Sequence, residues 1–262
     1  MAADLEQRLA AAVAVAREAG EVALAAYRRP LLRQFKGTQD YVLESDAEVE
    51  RTIRERLLAA FPKDSFFGEE GGGAFGRDVW VVDPIDGTAN FARGIPHWCI
   101  SIAFVRDART EIGVIYQPMT DEMYAGRRGA GATLNGRPIK VSGLTDIRQA
   151  AIEAGWSPRR PLAPYVAGIE HLYRAGAEVR RHGSGALGLA YTADGRIEGY
   201  GELHMNSWDA LAGLLLVEEA GGWTRPFLGD GADALREGNL VLGCTPALKE
   251  IIAEAMGVPL HR

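Results

Sequence analysis

Two cysteines, Cys99 and Cys244, are too few for a disulfide framework, and reduced thiols in a cytoplasmic protein are the simpler expectation. Long hydrophobic runs are also missing. Uncharged apolar stretches such as 211–217 stop far short of the ~18 residues of a membrane-spanning helix. Near the N-terminus, Asp4, Glu6 and Arg8 interrupt the apolar pattern, so the continuous hydrophobic region of a secretory signal is not expected. There is no basic excess: 29 Lys and Arg face 35 Asp and Glu, and the net charge of −6 gives no sign of a basic nucleic-acid footprint. No repeat of 20 to 50 residues and no low-complexity tract is present, which sets solenoids aside. What remains is a chain of 262 residues with 47% hydrophobic side chains, enough to bury a substantial core in one large domain or two small ones.

Hydrophobic periodicity predicts mixed α and β structure. Residues 5–27 read as an amphipathic helix, with Leu5, Leu9, Val13 and Ala16 on one side and Arg8, Arg17, Glu18 and Glu21 on the other. Ser45 with Glu48 has capping-box spacing and announces a second helix ending near Pro62, which puts Asp46 in its first turn. From residue 65 to about 140 short β-rich runs follow, at 79–82, 99–105, 112–116 and 122–126, and Asn135-Gly136 signals a type I′ hairpin. Helices are expected near 162–174, 185–193 and 210–220, with strands near 150–154, 197–202 and 240–243. A composition-neutral seam at 142–148 suggests two halves, 1–145 and 146–262.

Acidic residues stand at the ends of the apolar runs. Trp80-Val81-Val82 delivers Asp83, which Pro84 biases toward extended backbone, so that Asp83 is expected to leave the strand end pointing outward. Asp86 follows, then Gly87 for a tight turn, then Thr88 at a helix start whose free N–H groups suit phosphate oxygens. An ordinary solvated Asp-Pro turn fits the tetrapeptide equally well. The run 65–70 repeats the arrangement with Glu69 and Glu70, which as an isolated feature reads as a solvated acidic loop. Trp208-Asp209 precedes another apolar run, and Asp209 taken alone reads as a helix N-cap. Together, Glu69, Asp83, Asp86 and Asp209 offer only hard oxygen donors, without His-x-His or paired cysteines, and favour Mg²⁺ or Mn²⁺ over zinc. Carboxylates around a phosphate cradle suit two-metal hydrolysis. The three-residue step from Asp83 to Asp86 differs from the Asp-x-Asp-Gly-Thr turn of haloacid-dehalogenase-like phosphatases and favours direct attack by water. No Gly-x-Ser-x-Gly elbow supports a serine nucleophile, and the histidines, at 97, 171, 182, 204 and 261, have no ligand spacing.

Three segments in this order, Gly68-Glu69-Glu70, the nonapeptide 83–91 (DPIDGTANF), and Trp208-Asp209 with Glu219-Ala220-Gly221-Gly222, resemble the inositol monophosphatase family of metal-dependent, lithium-sensitive phosphomonoesterases. The resemblance runs from the first helix to about Gly243. It implies an α+β fold, a layered α-β-α-β-α sandwich, and a homodimer. It further implies that Glu69, Asp83 and the Ile85 carbonyl hold one ion, that Asp83, Asp86 and Asp209 hold a second, and that Glu69 helps position a weaker third. Thr88 with Asp46 would orient or deprotonate the attacking water, and the Gly87 and Thr88 amides would hold the phosphate. Gly183-Ser184-Gly185 resembles the family's Gly-Ser/Thr-Ala pocket turn. Glu202 resembles the acid that accepts a substrate hydroxyl, although a strand-end charge is its plain alternative and a cationic amine would suit it as well as a polyol. Lys36 stands where the family often has a lysine, with a surface lysine as the alternative.

Leu43, where threonine is usual, and the segment 203–207 depart from the family pattern, and His204 and Asn206 are expected to reshape the leaving-group pocket. The expected substrate is a small phosphorylated polyol or amino alcohol. Inositol monophosphate is preferred over histidinol phosphate, and over fructose bisphosphate or a nucleotide. A protein-binding regulatory role is the rival from another class.

Overall fold

A computed structural model describes residues 2–28, 34–37, 40–42, 44–230 and 233–260. Helix α1 (Ala2–Tyr27) and helix α2 (Glu44–Ala60) flank a short hairpin, β1 (Gln34–Gly37) with β2 (Asp40–Val42). An eight-stranded sheet follows, built from β3 (Ser65–Gly68), β4 (Gly72–Gly73), β5 (Asp78–Asp86), β6 (Cys99–Arg106), β7 (Arg109–Gln117), β8 (Glu122–Arg127), β9 (Ala132–Leu134) and β10 (Arg137–Pro138). Its order is β10-β9-β8-β7-β6-β5-β3-β4, antiparallel except for the β3–β5 pair. The four-residue helix α3 (Thr88–Phe91) interrupts it after β5. A second sheet of five strands contains β11 (Ala151–Ala154), β12 (Glu178–Arg180), β13 (Gly199–Met205), β14 (Trp223–Thr224) and β15 (Asn239–Cys244), in the order β12-β11-β13-β15-β14. Between and around these strands run α4 (Leu162–Ala175), α5 (Gly185–Ala193), α6 (Ser207–Glu219), α7 (Asp233–Glu237) and α8 (Lys249–Met256).

The layers follow from which face each strand buries. In β5, Trp80 and Val82 enter a core under α1 and α2, whereas Val79 and Val81 enter a core shared with α5 and α6. A strand covered on both faces is continuously apolar, and 79–82 is fully buried. Helices α5 and α6 also meet the second sheet, and α4 and α8, the latter through Ile252, cover its far side over Ile152 and Leu242. The order helix pair, sheet, helix pair, sheet, helix pair is the expected α-β-α-β-α sandwich.

Several local readings are corrected. Arg8 does not lie on the polar side of α1: it is buried, paired with Asp64 and stacked over Phe61 and Phe104. Helix α2 begins at Glu44, so Ser45 lies inside it and its hydroxyl is buried without a partner rather than closing a capping box. Strand β5 continues past Asp83 to Asp86 through a bulge against β6, and Asp83 is buried rather than outward-pointing. The hairpin at Asn135-Gly136 forms as read, with φ of 50° and 77°.

Candidate functional site

Each acidic residue arrives on a different piece of rigid framework. Glu69 directly follows β3, and its amide donates to the Val82 carbonyl of the neighbouring strand at 3.2 Å. The next two amides, of Glu70 and Gly71, both donate to the buried Glu50 carboxylate of α2 at 2.9 Å, fixing the loop that carries Glu69. Asp83 and Asp86 flank the β5 bulge, where the Ile85 amide donates to Asp83 Oδ1 at 2.8 Å. Asp209 sits in the first turn of α6. Asn206 is the cap residue there, which corrects the isolated N-cap reading of Asp209, and its side-chain Nδ2 donates to Asp209 Oδ2 at 3.2 Å.

Glu69, Asp83 and Asp209 each place a carboxylate oxygen within 4.8 Å of the other two. Asp86 joins them electrostatically. Its Oδ2 accepts from the Ser184 hydroxyl at 2.6 Å and the Ala186 amide at 2.7 Å, at the start of α5. Burial and the neighbouring Asp209 push its carboxyl up to about 7. The Glu69 carboxyl is held well above the ordinary range by burial first, then by Asp209 and Glu70. Asp83 is raised by burial first, then by Glu69 and Asp209, and Asp209 is raised by burial. Buried carboxylates that repel one another stay ionised only beside a cation, and an all-oxygen donor set fits a hard divalent ion. Cys99 is the soft atom nearby, with Sγ 3.9 Å from Asp86 Oδ2, but burial first and then Asp86 keep it a neutral thiol, outside the donor set.

The remaining predicted residues surround this cluster. Asp46 is buried in the first turn of α2, and its charge is felt at Glu69. The Thr88 hydroxyl donates to the Ile85 carbonyl at 3.0 Å. Gly87 takes φ of 97°, a left-handed conformation that a side chain would strain, and so turns the chain from β5 into α3. A cavity of about 180 Å³ opens beside Asp86 and Asp209, and Gly183, Ser184, Gly185 and Glu202 line it. The side chain of Lys36, and Leu43, lie outside the described residues. His204 and Asn206 do not line the cavity: His204 bonds the Glu237 carbonyl, Asn206 bonds Asp209, and Met205 reaches the cavity in their place.

Sequence reasoning missed Glu153, Trp156, Arg181 and Tyr200, which also line the cavity. Tyr200 was within reach, since it stands two residues before Glu202 on a strand and therefore on the same face. Its hydroxyl donates to Glu202 Oε2 at 2.6 Å. Burial, with the charges of Asp209 and Asp86, raises Glu202 to about 8. Glu153, at the end of β11, accepts both the amide and the ring Nδ1 of His182 at 2.9 and 3.0 Å. Asn90 Nδ2 donates to the His182 carbonyl at 2.8 Å. The segment entering Gly183 is therefore held from both sides.

Residues 4–257 match the profile described as the inositol monophosphatase family. The chain is 41% identical over 246 residues to an inositol-1-monophosphatase of Rhizobium meliloti, covering 91% of this chain and 90% of that protein. It is 38% identical over 248 residues to the Nus factor SuhB of Pasteurella multocida, covering 92% of each. The solved inositol monophosphatase of Anabaena (Nostoc) sp. PCC 7120 superposes with a TM-score of 0.84 at 32% identity, covering 98% of both chains. With the fold, the acidic cluster and these likenesses in agreement, the chain belongs to the inositol monophosphatase family, whose members are metal-dependent phosphatases acting on small phosphorylated substrates.

Proposed function

We propose that this chain hydrolyses a small phosphate monoester, inositol monophosphate in preference to histidinol phosphate, with Mg²⁺ as its metal and Mn²⁺ as a substitute. The observation that carries the reading is the convergence of Glu69, Asp83 and Asp209 within 4.8 Å, beside a cavity that ends in Glu202 and Tyr200. Glu69, Asp83, the Ile85 carbonyl, Asp86 and Asp209 would hold two or three ions. Bound there, the ions supply charge neutralisation for the phosphate oxygens and acidify the attacking water.

The chain's own groups complete the chemistry. Asp46 and Thr88 orient the attacking water, Asp46 as proton acceptor and Thr88 through its hydroxyl. The Gly87 and Thr88 amides hold phosphate oxygens. Ser184 and the Ala186 amide fix Asp86, and Gly183, Ser184 and Gly185 line the cavity beside it. Glu202, ordered by Tyr200, takes a hydroxyl of the leaving alcohol, and Asp86 and Asp209, which line the same cavity, add to substrate binding. Lys36 is a secondary candidate for anion contact. We retain two halves, 1–145 and 146–262, a homodimer, inhibition by lithium and a cytoplasmic setting as parts of the same proposal.

Side-by-side hydrolysis of inositol 1-phosphate and histidinol phosphate with Mg²⁺ tests the substrate. A specificity constant for histidinol phosphate ~100-fold higher, roughly 2.7 kcal/mol in transition-state binding, overturns the choice of inositol phosphate. A second reading, a regulatory role through a protein partner, is supported by relatives named Nus factor SuhB. Full cellular rescue by an Asp83→Asn variant that lacks hydrolysis would favour it.

A further inference from the structure

A second cavity, of about 200 Å³, lies where the start of β7, the end of β8 and α6 meet the segment 225–229. It shares no lining residue with the cavity beside Asp209. Leu211, Leu214 and Phe227 give it an apolar lining, and Arg109, Arg128, Arg225 and Glu218 are its charged lining residues. Two of these cations are compensated: Arg128 pairs with Glu218 at 2.8 Å, and Arg109 lies 3.7 Å from Glu111.

Arg225 differs. It is 8% exposed, and its contacts with the protein are weak ones, from Nη1 to the Pro226 carbonyl and to Asn239 Oδ1, each at 3.4 Å. Among the described residues no carboxylate pairs with it. Arg225 is itself one of the residues that line the cavity. A guanidinium buried without a counter-charge is costly, and its planar fork matches a carboxylate.

We infer that this cavity binds a small organic monoanion, a carboxylate carried on an apolar body. Arg225 pairs with the headgroup, and Leu211, Leu214 and Phe227 cover the tail. Among the described residues one positive charge of the lining has no counter-charge, and it matches one negative charge, which selects a monocarboxylate over a phosphate dianion. The cavity's size suits a small ligand rather than a drug-sized one.

Calorimetric titration of octanoate into the full chain, with octan-1-ol as the neutral analogue, tests the site. Octanoate is expected to bind saturably, and octan-1-ol at least about tenfold more weakly. Arg225→Met keeps the side-chain bulk, and is expected to lower octanoate affinity by about tenfold while leaving octan-1-ol unchanged. Absence of saturable octanoate binding, equal binding of the alcohol, or unchanged affinity in Arg225→Met overturns the inference. Where that variant does not fold, a crystal of the native chain soaked in octanoate decides: a carboxylate on Arg225 supports the site, and a ligand elsewhere or none overturns it.

Discussion

Two groups of carboxylates, each with a buried member, lie at opposite ends of β5 and are treated in opposite ways. At its start, Asp64 is paired by the Arg8 guanidinium and accepts from Trp80 Nε1 at 2.9 Å, while Arg106 bridges Asp4 and Asp78 at 2.9 Å to each. At its far end, Asp83 and Asp86 face Glu69 and Asp209 without a pairing arginine or lysine among the described residues. The first cluster has its counter-charges built into the chain and serves stability. The second concentrates negative charge without a counter-charge among the described residues, the arrangement that the proposed cation site would use.

The largest expected effect falls on the unpaired end. Asp83→Asn should lower kcat/KM for phosphate release by about 10³-fold or more, with the fold retained by circular dichroism. At the paired end, Arg8→Leu strands Asp64 and should cost about 3–5 kcal/mol in urea unfolding, while kcat/KM per folded molecule stays within about twofold. A loss of catalysis from Arg8→Leu equal to that from Asp83→Asn would erase the distinction between the two ends.

The pH dependence of stability separates them further. In the metal-free chain Asp86 is raised from 3.8 to about 7 and Glu202 from 4.5 to about 8. Between the unfolded and folded values the folded chain holds protons that the unfolded chain releases, so the stability these groups contribute at low pH is lost as pH rises. The chelated protein should therefore lose about 5 °C or more in Tm between roughly pH 5 and pH 8, and Mg²⁺ should restore more at the higher pH. A flat or rising Tm in the chelated protein contradicts this. The smallest effect belongs to the organic end of the cavity: Glu202→Gln should reduce kcat/KM for inositol 1-phosphate by about tenfold, mainly through KM, and equal losses for a simple aryl phosphate would show that Glu202 does not read the alcohol.

Legibility in the sequence follows the range of the interactions involved. The β5 run, the Asn135-Gly136 hairpin and α5 could be read locally, since a continuous apolar run, turn chemistry and apolar spacing act over a few residues. The acidic cluster was legible as four separate carboxylates at element ends, and the family resemblance, rather than periodicity, grouped them. Arg8 was misplaced because a charged residue on an apolar helix reads as surface unless its partner is known, and Asp64 lies 56 residues away. Ser45 fitted the local capping pattern, yet the helix begins one residue earlier. Glu153 and Arg181 gave no local sign, because it is the pairing of β11 with β12 and β13 that brings β11's end, the residues after β12 and Glu202 of β13 to one cavity.

Ion binding decides most directly whether the unpaired end is a metal site. Titration of Mn²⁺ into the purified chain, followed by the loss of free-ion electron paramagnetic resonance signal, should show about two or more ions bound per chain, with uptake largely abolished in Asp83→Asn and unchanged in Arg8→Leu. Mn²⁺ uptake that is absent, or that survives intact in Asp83→Asn, would contradict the reading of Glu69, Asp83, Asp86 and Asp209 as a shared cation site.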